Sequence, residues 1–233
     1  MSIKSLRIYI LINAILMGLG LALHFFNTCF PSFVTMGFIL KNSSLTSFLL
    51  VITSKKLWIS TRHNAISSTQ FLFEIFRFSL TESILFALLY SGRDVSPEYS
   101  MTVILIRLKY FVVKSFIYEL VFDFIYYWIH RLLHKFPTLY KYIHKKHHNY
   151  NKPTIESTFH ENIFENLIAN VFPSTFTIFL LKTFLDIHFA PSEFCCLSVY
   201  KTFVEISGHC GRDLRNSSSF PQFIWLPKLL GIH

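Results

Sequence analysis

Long apolar stretches, separated by short polar ones, run through most of the 233-residue chain. From Ile8 to Leu40 the chain contains no Asp, Glu, Lys or Arg. A helix that crosses a bilayer needs about 20 predominantly apolar residues, so this interval is long enough for at least one crossing. The lengths of the apolar stretches favour helices over strands. We predict six hydrophobic helices, at residues 8–26, 32–53, 70–90, 101–129, 164–183 and 191–206.

The composition strengthens this interpretation. Hydrophobic residues make up 52% of the chain and charged residues only 15%, whereas soluble domains carry about 25% charged residues. Lys4 and Arg7 precede the first apolar stretch, as in a signal anchor that is retained. The sequence therefore predicts an all-α, multi-pass transmembrane helical bundle with four to six crossings.

The basic residues predict how the bundle is oriented. The net charge is +9, and half of the 22 basic residues lie before the first stretch, at positions 55–62 or among the histidines at positions 130–152. Basic residues concentrate in cytoplasmic loops of membrane proteins, so this distribution needs no nucleic-acid partner. Two crossings return the chain to its starting side at 55–62, and two more bring the histidines to that side. A final hairpin then returns His209 beside them, which predicts a cytoplasmic, histidine-rich helical cap.

Charged residues inside two predicted helices leave the number of crossings open. Helix 70–90 contains Glu74, Arg77 and Glu82, and helix 101–129 contains five charged residues. Charges within a crossing usually face a bundle interior or water. We therefore expect these helices either to cross with their charges inward, or to lie partly at the interface or in the cap.

Five of the eleven histidines lie between positions 130 and 148. They form H-x-x-x-H at His130 and His134, followed by H-x-x-H-H at His144, His147 and His148. Residues four apart share one face of a helix, and the two adjacent histidines would point about 100° apart. Neutral imidazole is the commonest protein ligand for transition metals. We predict that a helix over 116–134, stopped by Pro137, and the segment after it present five imidazoles to one metal site.

These motifs, with the lead-in Asp123-x-x-Tyr126-x-x-x-His130-Arg131, resemble the fatty acid hydroxylase / sterol desaturase superfamily over about residues 115–233. The resemblance implies a histidine-bound di-iron oxygenase that hydroxylates, desaturates or oxidatively demethylates a sterol or fatty-acyl lipid. The predicted division of the chain is therefore residues 1–114, the N-terminal transmembrane helices indicated by the apolar stretches, and residues 115–233, the hydroxylase-like domain that the resemblance implies, incomplete at its C-terminal end. The resemblance also implies location in the endoplasmic reticulum and an electron donor such as a cytochrome b5-type protein or a reductase.

The resemblance extends to single positions. His160 matches a histidine downstream of the second box, although Glu161 and Ile163 replace the Pro and Glu of the family's His-Pro-x-Glu; Glu165 is a candidate for the replaced carboxylate. His209, in Gly208-His209, matches a Gly-His element further on. The predicted metal ligands are thus His130, His134, His144, His147, His148, His209 and His160.

Asp123 lies two helical turns before His130. We predict that it supports the metal ligands through second-sphere contacts. The alternative is a carboxylate at the membrane edge that either snorkels to water or is paired.

The family closes with a second H-x-x-H-H box, whereas the given sequence ends at His233 after Trp225-Leu-Pro-Lys-Leu-Leu-Gly-Ile. We expect either a fragment, whose missing residues would supply up to three ligands, or a truncated and inactive member. Imidazole suits Zn²⁺ as well as iron. The alternative function is therefore a catalytically inactive or zinc-loaded metal-binding membrane protein.

Overall fold

The computed structural model describes residues 3–53, 67–90, 101–149 and 155–209, and this part of the chain is helical, without strands. The all-α prediction is confirmed. The helices are α1 (Ile3–Cys29), α2 (Val34–Thr53), α3 (Ser68–Tyr90), α4 (Met101–Lys135), α5 (Pro137–Leu139), α6 (Ile163–Asn166), α7 (Phe172–Leu185) and α8 (Pro191–His209). Short 3-10 segments lie at Pro31–Phe33, His147–Asn149 and Glu156–Phe159, and π turns at Tyr140–His144 and Leu167–Val171.

Three helical stretches of the described chain are long and apolar enough to cross a bilayer. They are Ile10–Cys29, Pro31–Val51 and Ile163–Leu185. All three coincide with predicted hydrophobic helices. The predicted domain boundary between residues 114 and 115 falls inside α4, which continues unbroken across it; the division into two domains stays a prediction.

Three helix pairs hold the bundle together, and two of them join helices that are distant in the sequence. Helix α1 packs along α8, α2 against α3, and α4 against α7. The first pair approaches closely at Gly20, where a Cβ atom would lie 2.6 Å from Cα of Cys196. Any larger residue at this position would push the two helices apart. The core between the helices includes Leu16, Leu45, Leu49, Ile75, Phe78, Phe111, Tyr118, Phe122, Leu197 and Phe203.

Helix α3 separates its apolar and charged residues by face. Leu72, Phe76, Leu80, Ile84 and Leu88 follow one another at four-residue spacing, and all five are exposed. Residues at this spacing form one stripe along a helix. The outer face of α3 is therefore apolar, although the helix carries three charged residues.

Three cross-helix pairs neutralise six of the charges within the helices. Lys41 of α2 pairs with Glu82 of α3. Two further pairs join α4 to α8: Lys114 Nζ lies 2.8 Å from a carboxylate oxygen of Glu193, and Lys201 Nζ lies 3.3 Å from one of Glu119. Unpaired charges inside a bundle are costly. The pairs thus account for charges that hydropathy alone leaves unexplained.

Candidate metal centre

Six of the seven predicted ligands lie in one continuous cluster of imidazole rings. His130 and His134 belong to α4, the second histidine motif follows α5, and His209 ends α8. The ring centroids of His130, His134 and His144 lie 4.6–4.7 Å apart. His148 joins this group at 4.5 Å from His144. His147 and His209 extend the cluster, with their ring centroids 5.3 Å apart.

The Nε2 atoms of three rings converge. Nε2 of His144 lies 3.0 Å from Nε2 of His134 and 2.8 Å from Nε2 of His148. A neutral imidazole has one N–H donor and one lone pair, so three such nitrogens this close cannot all be satisfied by hydrogen bonds among themselves. One ligand atom each of His130, His134 and His144 also lie within 4.8 Å of one another. The donor set fits a transition-metal ion placed between the rings.

The π turn Tyr140–His144 positions the first histidine of the second motif. Pro137 begins α5 after the break at Phe136, and the turn ends with Lys145 N donating to Tyr140 O at 2.7 Å, a five-residue closure. This closure puts more residues in one turn than an α-helix does, which changes the direction of the side chains that follow. His144 is thereby buried against α4, with only 1% of its surface exposed.

Glu165 fixes the orientation of His144. Its Oε1 lies 2.7 Å from Nδ1 of His144, and both side chains are buried. A carboxylate at Nδ1 holds the proton there and leaves the lone pair on Nε2, the nitrogen that faces the other imidazoles. Asn162 caps α6 by accepting from the Phe164 amide at 3.0 Å, which fixes the turn that carries Glu165. The sequence drew attention to Glu165 as a neighbour of His160; the contact to His144 was not foreseen.

His209 is oriented in a similar way by its own helix. Its Nδ1 lies 2.9 Å from the carbonyl oxygen of Glu205, one turn earlier in α8. Donation to this carbonyl leaves Nε2 free to bind a metal. Burial, together with His209 and the other imidazoles, lowers the pKa of His147 to about 4. His147 is therefore neutral near pH 7, the form that binds metal.

Two tyrosines complete the surroundings of the cluster. The Tyr126 hydroxyl lies 3.5 Å from Nδ1 of His130, and their rings are stacked. The ring of Tyr140 contacts those of His134, His144 and His148. Each tyrosine precedes a histidine by four residues, and this spacing is the signal in the sequence that could have identified Tyr140.

His160, the seventh predicted ligand, lies against α3. Its Nδ1 is 3.2 Å from Oε1 of Glu74, a buried residue of that helix. The same oxygen accepts from Nζ of Lys146 at 2.7 Å, and Lys146 also donates to the Glu161 carbonyl at 2.9 Å. Glu74 therefore connects α3 to the second histidine motif and to His160. In the sequence, Glu74 stands out only as a charge inside a hydrophobic helix.

Asp123 lies apart from the cluster. Its side chain is exposed, and seven residues of helix place it about 10 Å along the axis from His130. Tyr126 occupies the position beside that imidazole. The supporting role of Asp123 stays a prediction, as does metal binding by the seven histidines.

Comparison with known proteins agrees with this geometry. A family model, fatty acid hydroxylase, matches residues 115–233, half of the chain and all seven predicted ligands. No curated protein and no solved structure matches the sequence. The family match supports an oxygenase-type function on membrane lipids, and with the three apolar helices it supports an integral membrane protein. The chain belongs to the fatty acid hydroxylase family.

Proposed function

We propose that this protein is an O₂-dependent lipid oxidoreductase whose histidine cluster holds two iron ions. The observation that carries the proposal is that the Nε2 atoms of His134 and His148 both lie within 3.0 Å of Nε2 of His144. Such a set of neutral nitrogen donors suits a divalent transition metal. His147 and His209 form the second pair of rings in the cluster, which provides donors for a second ion.

The residues around the cluster hold the ligands in their metal-binding form. Glu165 keeps the proton of His144 on Nδ1, and the Glu205 carbonyl does so for His209. Iron, when bound, supplies the oxygen chemistry that attacks an unactivated C–H bond of a lipid. Glu74 and Lys146 hold the second histidine motif against α3, which fixes the spacing of the predicted ligands in that motif.

We further propose that the cluster faces the cytoplasm of the endoplasmic reticulum and receives electrons from a cytochrome b5-type protein or a reductase. Hydroxylation of a C–H bond by O₂ consumes two electrons and two protons and releases water. The described residues beside the cluster include exposed Lys135, Lys141 and Lys145. A positive surface of this kind favours association with an acidic electron donor.

The test is metal analysis and turnover of the purified full chain in lipid nanodiscs. We expect two iron ions per chain and O₂-dependent product from a sterol or fatty-acyl substrate when reductant is supplied. His144→Ala should abolish both iron binding and turnover. His188→Ala is the matched control, because His188 is exposed and contacts Asp186 at 2.8 Å. Bound zinc without turnover would contradict the proposal and support the metal-binding alternative.

A further inference from the structure

A cavity lies among α3, α4, α7 and α8, close to the histidine cluster. Its wall extends along α8 from Phe194 to Glu205, which is about 16 Å at the rise of an α-helix. Glu205 lies one turn before His209, and Asn166, also in the wall, follows Glu165 in the sequence. One end of the cavity therefore reaches the surroundings of the predicted metal ligands.

Thr202 offers a buried hydrogen-bond donor in this wall. Only 3% of Thr202 is exposed, and its hydroxyl oxygen accepts from Nζ of Lys41 at 3.0 Å. An ammonium group only donates, so the hydroxyl hydrogen of Thr202 is not used in that bond. Within residues 3–53, 67–90, 101–149 and 155–209, no acceptor contacts it. A buried donor without an acceptor is costly, which indicates that a ligand or water completes it.

Glu205 offers the complementary acceptor. No hydrogen-bond or ion-pair partner contacts its carboxylate in the part of the chain that the structure describes. Thr202 and Glu205 are three residues apart on α8, and at this spacing Cβ atoms lie about 5–6 Å apart. Both side chains line the cavity from the same helix, so a hydroxyl group placed between them can accept from Thr202 and donate to Glu205.

The charges in the wall disfavour an anionic ligand. Glu82 and Glu205 both line the cavity. The ammonium of Lys41 is already in contact with Glu82, Ser198 and Thr202. Lys201 is paired with Glu119 and lies 3.5 Å from the ring centroid of Phe122. A carboxylate in the cavity would lie beside the Glu205 carboxyl group, while Lys41 and Lys201 are already paired with other carboxylates. Like charges brought together repel.

We propose that this cavity binds a lipid through a neutral hydroxyl group held between Thr202 and Glu205. The inference rests on the proposed lipid substrate and narrows its class to hydroxyl-bearing lipids rather than free fatty acids. The apolar part of the ligand would lie against Phe78, Leu85, Phe194 and Leu197, which line the same cavity. Thr202 and Glu205 then determine the preference for a lipid hydroxyl over a carboxylate. They lie seven and four residues before the predicted ligand His209 on α8.

The test is equilibrium binding to the metal-free full chain in phosphatidylcholine nanodiscs. Tritiated 1-hexadecanol is the probe, and unlabelled palmitate is the competitor. We expect displaceable binding of hexadecanol and about tenfold weaker binding of palmitate, because a carboxylate cannot donate to Glu205 and the loss of one hydrogen bond weakens binding by up to about tenfold. Thr202→Val and Glu205→Leu should each weaken hexadecanol binding about three- to tenfold.

Two controls separate recognition from folding. Thr202→Ser keeps the hydroxyl and should bind hexadecanol like the unmodified protein. Thr46→Val also removes a buried threonine hydroxyl, but Thr46 donates to the Asn42 carbonyl of its own helix and lies outside the cavity; binding should be unchanged. Equal affinity for palmitate, or equal losses in Thr46→Val and Thr202→Val, would overturn the inference.

Metal content and turnover are measured on the same preparations, so that the two proposals fail separately. O₂-dependent turnover without a preference for hexadecanol overturns only the hydroxyl-binding site. Selective hexadecanol binding by a chain that holds no iron and shows no turnover contradicts only the proposed oxidation.

Discussion

Replacing Glu165 should weaken metal binding without removing a metal ligand. In Glu165→Ala the buried Nδ1–H of His144 loses the acceptor that lies 2.7 Å away. The imidazole can then place its proton on Nε2, the nitrogen 3.0 Å from His134 and 2.8 Å from His148. Metal binding must then first move that proton, so the affinity falls.

The expected loss is large enough to measure. Removing the partner of a metal-binding histidine typically lowers metal affinity about 10- to 100-fold, or about 1.4–2.7 kcal/mol. The Glu165–His144 pair is almost completely buried, with exposed side-chain fractions of 4% and 2%. Water therefore replaces the lost acceptor poorly, and we expect the upper part of that range for Glu165→Ala. Glu165→Gln keeps an acceptor oxygen and should lie near the lower end, about tenfold.

The assay is anaerobic competition for Fe²⁺ between the purified protein and a chelator of known affinity. Glu193→Gln is the matched control, since Glu193 is 1% exposed and contacts Lys114 at the opposite end of α8 from His209. That variant should keep its iron affinity within about twofold, because distant sites act independently. The reasoning is refuted if Glu165→Ala also stays within about twofold, or if Glu193→Gln loses iron equally.

Three further predictions use other contacts of the described residues. Glu74→Gln should lower iron affinity about tenfold in the same competition assay, because it loosens Lys146 within the second histidine motif; unchanged affinity would refute this. Folding lowers the pKa of His147 from 6.5, the ordinary value of the side chain, to about 4. The metal-free protein should therefore lose stability as the pH falls from 6.5 toward 4. The unfolded chain binds a proton there that the folded chain excludes; His147→Gln should reduce the difference in Tm between pH 7 and pH 5, and an undiminished difference would contradict the assignment. Lys41→Met should destabilise the bundle by about 3–5 kcal/mol in detergent unfolding, because Glu82 is left without its counter-ion; the double change Lys41→Met/Glu82→Met should recover most of the loss, and no recovery would count against the pairing.

The regular features of the chain were predictable from local pattern. Six apolar stretches of helical length were predicted to be helices, and each overlaps a helix in the described part of the chain. A helix buried in a bilayer or a bundle needs a long apolar segment, and the sequence shows such a segment directly. The pairs His130/His134 and His144/His148 were recognisable because four-residue spacing places side chains on one face. Helix phase alone does not bring the two pairs together. The π turn before His144 does so, and a single-turn change of helix type leaves little trace in a sequence.

The contacts that support the site were out of reach for a different reason. Glu165 meets His144 across 21 positions, and Glu74 meets Lys146 across 72. Neither spacing is a motif, because each pair is created by the packing of separate segments. By hydropathy alone, Glu74 and Glu165 make their helices less suited to cross a membrane. In the bundle both carboxylates have partners, Lys146 and His144.

The contacts of Glu74 indicate that α3 also supports the predicted metal site. Glu74 lies outside the residues that match the family, yet its carboxylate accepts from Lys146, between two predicted ligands, and lies 3.2 Å from a third, His160. A helix that served only to hold the protein in the membrane would need no buried carboxylate at this level, and burying one costs free energy unless it is paired. Helix α3 therefore combines two features: its apolar stripe is exposed on the outside of the bundle, and its inner carboxylate, Glu74, holds Lys146 and His160 beside the other predicted ligands.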